Sequence, residues 1–173
     1  MNTIAITIDR FSTIVGKATA CLTLLMVLVT CGVVAARYLF NVGSIGFQES
    51  VMYMHGAVFM LGIAYTLRDD DHVRVDIVYE KLSHTSRAWI DLCCTVVFLF
   101  PVAAYIGISS IDYVALSWIL GEGSAQPGGL PGVYLLKALI PVMAASLALQ
   151  GVSEALKAIL VIQGATTGTA TDA

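Results

Sequence analysis

Charge is what this chain has least of. Only 12% of its 173 residues are Asp, Glu, Lys or Arg, and 58% are hydrophobic, whereas an ordinary soluble domain carries about 25% charged residues. The mean hydropathy is +0.85. No basic run exists and the net charge is −3, so nothing offers a nucleic-acid footprint. Neither a G-x-x-x-x-G-K-[ST] phosphate loop nor an H-E-x-x-H zinc site occurs, which removes the usual motifs for nucleotide hydrolysis and zinc chemistry. No catalysis, cofactor or metal is expected. An internal repeat with broken helices, the mark of a self-sufficient carrier, is also missing. Four cysteines are present, but Cys21 and Cys31 fall inside one apolar run and the adjacent Cys93 and Cys94 begin another. They read as reduced, small apolar groups rather than a disulfide pair.

The apolar residues are concentrated in four runs. Nineteen uncharged residues separate Lys17 from Arg37, eighteen run from Ser50 to Leu67, twenty from Leu92 to Ile111 and sixteen from Ala138 to Ser153. At about 1.5 Å per residue the first three each cover roughly 27–30 Å, the depth of a bilayer's hydrocarbon core. The fourth reaches that length once Tyr134–Leu136 are added and Lys137 extends its stem toward the interface. A soluble bundle would keep a polar face on each helix, and none of these runs has one. The sequence therefore predicts an all-α membrane protein, a single domain over 1–162. Its four transmembrane helices are placed at about 16–37, 49–68, 88–113 and 133–156, and residues 163–173 are expected to be a disordered tail.

Loop charge orients the spans. With the N-terminus cytoplasmic, the inner segments hold Arg10, Lys17, Arg68, Arg74, Lys81, Arg87 and Lys157, and the outer ones only Arg37 and Lys137. Both termini are thus expected in the cytoplasm. Tyr38, Phe40, Phe47, Tyr53, Tyr113, Trp118 and Tyr134 mark the outer boundary; Tyr65, Tyr79 and Trp89 mark the inner one. The first run is too long for a cleaved signal peptide. Ahead of it, Ile4, Ile8, Phe11 and Val15 recur at helical spacing, which suits a short helix in the headgroup layer; a frayed polar tail is the competing reading.

Between spans two and three, Val75, Val78, Tyr79 and Leu82 follow i, i+3, i+4, i+7 spacing and predict a short amphipathic cytoplasmic helix. His84-Thr85-Ser86 should break it, with Thr85 or Ser86 capping the third span. Beyond Leu120 the Gly- and Pro-rich stretch 121–132 reads as loop. Pro131 suits the first turn of span four, and Pro141 should kink that helix.

A carrier working alone needs ionisable groups within the membrane, and the four uncharged runs supply none. His55 in span two reads as a helix–helix hydrogen-bond donor or interface residue; haem would need a second ligand, and His72 and His84 lie across the bilayer. Asp69-Asp70-Asp71-His72 with Asp76 could hold a divalent ion, but a solvated anionic loop is the simpler reading. Small residues stand on helical faces: Ala144, Ala148 and Gly151 in span four, Ala103 and Gly107 in span three, Gly56 and Gly62 in span two. Such faces permit close helix approach in lipid and mildly favour a partner protein.

Several segments resemble one family. Arg37-Tyr38-Leu39-Phe40-Asn41 is similar to the R-Y-x-F-N signature of the small, DctQ-type membrane subunits of tripartite ATP-independent periplasmic (TRAP) transporters. Thr66-Leu67-Arg68 followed by His72-Val73-Arg74-Val75-Asp76 resembles that family's H-[VI]-R-V-D motif. Ser117-Trp118, Glu122, Ser124, Pro127-Gly128-Gly129-Leu130-Pro131, Leu136-Lys137-Ala138-Leu139-Ile140-Pro141 and Leu149-Gln150-Gly151 are similar to its last loop and helix. The likeness spans roughly 30–157 and looks most like the branch labelled mannitol/chloroaromatic compound transport. Many relatives carry a tryptophan and paired acids before span two, where this chain has Ile45-Gly46-Phe47-Gln48-Glu49-Ser50.

The resemblance implies a non-catalytic inner-membrane scaffold beside a large multi-spanning subunit, serving sodium-coupled uptake of an organic acid delivered by a periplasmic substrate-binding protein. Arg37, Glu49 and Lys137 would then orient partners at the outer boundary, and His72, Arg74 and Asp76 would order the cytoplasmic turn. A four-helix membrane redox protein and a small proton-coupled exporter are the alternatives. The first lacks a cysteine pair in its outer loops, the second a membrane-embedded carboxylate.

Overall fold

The computed structural model describes residues 2–69 and 82–169. These form four helices long and apolar enough to cross a membrane, with no strand among the described residues. They are α1 (Asn2–Phe40), α2 (Ile45–Arg68), α3 (His84–Leu120) and α4 (Val133–Thr169). Successive helices reverse direction. One end of the molecule, the loop end, carries the 41–44 turn and the 121–132 loop; the other, the terminal end, carries the N-terminus and the C-terminal half of α4.

The packing is inverted relative to a water-soluble bundle. Among the described residues every buried hydrophobic side chain apart from Ile8 is an alanine, while Ser110, Ser117, Gln150 and Ser153 are buried with them. Leu24, Phe59, Phe98, Tyr105 and Ile119 project outward. In water that surface would aggregate; against lipid tails it costs nothing, and close backbone approach through small residues holds the helices together. α4 is the centre, in contact with α1, α2 and α3, and α1 also packs along α2. Among the described residues α3 makes extensive contact with α4 alone. The helices form an open layer rather than a closed bundle.

Glycines mark the crossings. A Cβ on Gly151 would lie 2.6 Å from Leu99 Cδ2 and 3.2 Å from Phe100, one on Gly56 would lie 2.7 Å from Leu136 Cδ1, and one on Gly107 would meet Ala144 at 3.4 Å. Gly16 leaves room for the Tyr65 ring. The small faces expected to invite a partner are therefore largely occupied by the chain's own helices.

Local chemistry sets the helix ends. Asn41 adopts a left-handed conformation (φ 52°) that ends α1, and the Val42 N–H turns back to the Ala36 carbonyl; asparagine tolerates that region better than most residues. The N-cap of α3 is Ser83, whose hydroxyl accepts the Ser86 N–H at 3.2 Å. His84-Thr85-Ser86 is thus the first helical turn rather than a break, and the cap falls earlier than Thr85 or Ser86. Within α3, Thr95–Leu99 forms a π turn, closed by the Phe100 N–H bonding the Thr95 carbonyl. Pro101 explains it. Its ring would strike the carbonyl four residues back and it has no N–H to offer, and a widened turn relieves both. α4 continues through Pro141, and Pro131 stands two residues ahead of its first turn.

One expectation is corrected. The N-terminal segment is neither a separate headgroup helix nor a frayed tail: it is continuous with span one, giving α1 39 residues, about 58 Å at the usual rise. At the other end α4 runs through 163–169, and 170–173 lie outside the described residues. So do 75–81 of the expected amphipathic helix.

This packing predicts a contrast between two glycines. Gly151→Leu overfills the α3–α4 crossing and should lower stability by about 1–3 kcal/mol in detergent unfolding titrations. Gly32→Leu, where a Cβ meets nothing within 4 Å, should stay within about 0.5 kcal/mol of wild type.

Candidate functional site

The polar chemistry collects at the two ends. At the loop end, Gly121 (φ 56°) closes α3 in the left-handed conformation, and the next amide, Glu122 N, bonds the Ser117 carbonyl at 3.0 Å. This reversal carries the Glu122 carboxylate back over the helix end. There Glu122 Oε2 accepts the Ser117 hydroxyl at 2.6 Å and the Lys137 ammonium at 2.5 Å. Lys137 Nζ also lies 4.1 Å from the centroid of the Tyr113 ring, a cation–π contact. Trp118 and Tyr134 meet edge to face beside it, 4.8 Å between centroids. Glu122 thus ties α3 to α4.

A second carboxylate ties the loop to α2. Glu49, in the first turns of α2, accepts the Ser124 hydroxyl and, at 2.7 Å, the Leu130 N–H. Ser124 N bonds the Leu130 carbonyl and Gly129 N the Gln126 carbonyl, both at 3.0 Å, so the loop is internally closed before it meets Glu49. Gly128 takes φ 79°, and a Cβ on Gly129 would come within 2.7 Å of Glu49 Oε2. The paired glycines are there because the loop backbone lies directly against the carboxylate.

At the terminal end, α1 and α4 share a longer network. Gln150 and Ser153 are both 0% exposed. Ser12 donates to Gln150 Oε1 at 2.6 Å, Gln150 Nε2 donates to Asp9 and Glu154 at 2.9 Å each, and Ser153 donates to Asp9 at 2.7 Å. Lys157 bridges Asp9 at 3.4 Å and Glu154 at 2.6 Å. Asp9 lies eight residues before Lys17, about 12 Å along the helix. It belongs to the boundary rather than to the uncharged middle. This network ties the start of α1 to α4, in line with the span.

The structure brings together only part of the predicted site. Lys137 and Glu49 join the same loop from α4 and α2. Arg37 stays exposed on the last turn of α1, bonded to no described residue. His72, Arg74 and Asp76 lie outside the described residues, as does most of the Asp69–Asp76 cluster; Asp69 itself pairs with Arg68 at 3.1 Å. His55 makes no hydrogen bond across helices: it is exposed and tilted against Phe59, centroids 4.8 Å apart. The four cysteines are unpaired.

Sequence reasoning passed over Glu122 as a lysine partner and missed Asp9, Ser12, Gln150, Ser153 and Lys157 as a unit. The signal for the second set was present: Gln150, Ser153, Glu154 and Lys157 fall at i, i+3, i+4, i+7 on one face of α4. Among the described residues no three His, Cys, Asp or Glu side chains group as metal ligands. The arrangement can fix helix ends and shape a loop.

These features define a multi-pass helical membrane protein whose polar groups hold its ends together. Residues 26–160 match the family model described as the DctQ component of the tripartite ATP-independent periplasmic transporters. The chain belongs to that family, and so is a small membrane subunit of a TRAP transporter. No curated protein and no solved structure matches it.

Two outcomes test the networks. Hydrogen bonds from Lys137 and Ser117 hold the Glu122 carboxyl below its ordinary 4.5. Because the folded value is depressed, the stabilisation is complete above the unfolded carboxyl's value and fades as pH falls through the folded one. Hydrogen-exchange protection across 121–132, taken relative to the intrinsic rate at each pH, should therefore fall on acidification below about pH 4.5, and Glu122→Gln should be weakly protected already at neutral pH and lose that acid-dependent step. At the other end, Asp9→Ala removes a charged acceptor from Ser153, Gln150 and Lys157, leaving Ser153 the Ala5 carbonyl at 3.3 Å and Gln150 the Glu154 carboxylate. It should cost about 1.5–3 kcal/mol, and combining it with Ser153→Ala should cost less than the two singles added.

Proposed function

We propose that this subunit is the fixed scaffold of its transporter. It supports a large multi-spanning partner during sodium-coupled uptake of an organic acid that a periplasmic binding protein delivers. In this reading both termini lie in the cytoplasm of a cell whose inner membrane holds the complex. The loop end then faces the periplasm, and the 121–132 loop with Glu49 and Lys137 offers a shaped surface to the partners. The Val75–Leu82 segment is an amphipathic helix on the cytoplasmic side, ordered by His72, Arg74 and Asp76. The G-G-L-P and K-A-L-I-P segments favour the mannitol/chloroaromatic branch in this reading, a label that does not define the solute.

One observation carries the scaffold role. Between the two polar ends, glycines of one helix receive the Tyr65, Leu99, Phe100 and Leu136 side chains of another, and the uncharged runs offer no ionised group to hold a cation or an organic anion. A membrane protein that selects charged cargo places such groups near the midplane. The driving chemistry therefore belongs to another chain, and this one contributes rigidity and a surface.

The purified chain reconstituted alone in liposomes should move no organic acid under a sodium gradient, while deleting it should abolish uptake by the large subunit. Solute accumulation by the chain alone would overturn the scaffold assignment.

A further inference from the structure

The loop-end halves of α1 and α2 do not close on each other. Between them lies a cavity of about 320 Å³ lined by Val29, Val33, Ala36, Val42, Ser44 and Phe47. It adjoins a second of about 430 Å³ that shares Val29, Ser44 and Phe47 and runs inward to Leu25 and Met54. Together they form one apolar groove along two membrane-spanning helices. Gly32 widens it: that residue lines the cavity, and a Cβ there would meet nothing within 4 Å.

The mouth of the groove carries an uncompensated positive charge. Arg37 follows Ala36 and lies one helical turn beyond Val33, on the edge of the lined face. It is exposed and bonded to no described residue. The other cation at this end, Lys137, is taken by Glu122, and the nearby carboxylate of Glu49 is taken by Ser124 and the Leu130 N–H. Tyr38 and Phe40, 80% and 72% exposed, flank Arg37 as headgroup-level anchors. An apolar slot below a free guanidinium fits an amphiphile with an anionic head. A soluble organic anion would find only the Ser44 and Ser50 hydroxyls in the groove's lining, and Ser50 already donates to the Phe47 carbonyl at 2.7 Å.

We propose that this groove seats an acyl chain of an anionic phospholipid, from the leaflet on the loop side, whose phosphodiester is held by Arg37. Guanidinium and phosphate match in geometry as well as charge. The bound lipid fills the gap between α1 and α2 and extends the apolar surface of the layer.

Native mass spectrometry of the full chain in mild detergent tests this with phosphatidylglycerol, phosphatidylcholine and glycerol phosphate as probes. The wild type should retain one phosphatidylglycerol about fivefold better than phosphatidylcholine and should not retain glycerol phosphate. Arg37→Gln should erase the preference between the two lipids, and Gly32→Leu should weaken both while leaving the unfolding midpoint unchanged. Equal retention of the two lipids by the wild type, an unchanged preference in Arg37→Gln, or retention of glycerol phosphate would each refute the site. A photo-cross-linking residue replacing Val33 in intact membranes separates the remaining case: label on lipid supports the proposal, and label on a protein chain overturns it.

Discussion

Hydrocarbon offers no hydrogen bonds, and that single constraint orders this molecule. Any polar side chain drawn between the helices must be satisfied by another, and any ionised one must reach an end. The chain obeys at both ends with closed networks rather than isolated pairs. Glu122 takes donors from α3 and α4; Glu49 takes a hydroxyl and an amide from the loop; Asp9 takes Ser153, Gln150 and Lys157 at once. Between those ends the hydroxyls of Ser110 and Thr19 fold back on carbonyls of their own helices, at 2.9 and 2.7 Å, so they add no demand. Among the described residues Tyr53 Oη is the one buried side-chain oxygen without a partner.

α4 gains its central place from this arrangement. It contributes Lys137 to the loop-end network and Gln150, Ser153, Glu154 and Lys157 to the terminal-end one. Its middle carries the small face, Ala144 and Gly151, on which α3 rests. One helix is thus pinned at both extremities and approached closely in between. The π turn of α3 lies where Leu99, Phe100 and Thr95 meet Gly151. A distortion demanded by Pro101 is therefore placed against the one residue of α4 that leaves space for the displaced side chains.

Much of this was legible beforehand, and the reasons are physical. Length without charge is a long-range, redundant signal, so the four helices could be placed from the uncharged runs alone. The proline–glycine loop announced itself by composition. What stayed hidden was pairing. Nothing local marks Asp9, because its partners stand more than 140 residues away on α4, and only the fold brings them together. Arg37, Glu49 and Lys137 share one boundary by sequence, yet the structure joins Lys137 and Glu49 to the loop and leaves Arg37 alone. Boundary depth can be read from a sequence; position around the layer cannot. The helix ends failed differently. A 39-residue α1 is not an apolar span but a span plus a polar-stitched extension, and apolar run length is blind to the second part.

The open layer bears on how a TRAP small subunit can meet its neighbours. In lipid, exposed leucine and phenylalanine give no net drive toward a partner, because lipid tails satisfy them equally well. Close-approach faces of small residues would give one, but Gly56, Gly107, Ala144 and Gly151 already serve contacts within the chain. What remains for specific recognition is shape and the polar ends: the flank of α3 away from α4 and the loop held by Glu49 and Glu122. A loop anchored to α2, α3 and α4 at once can transmit force without deforming, since moving it requires breaking contacts to three helices. That property agrees with the scaffold role proposed above.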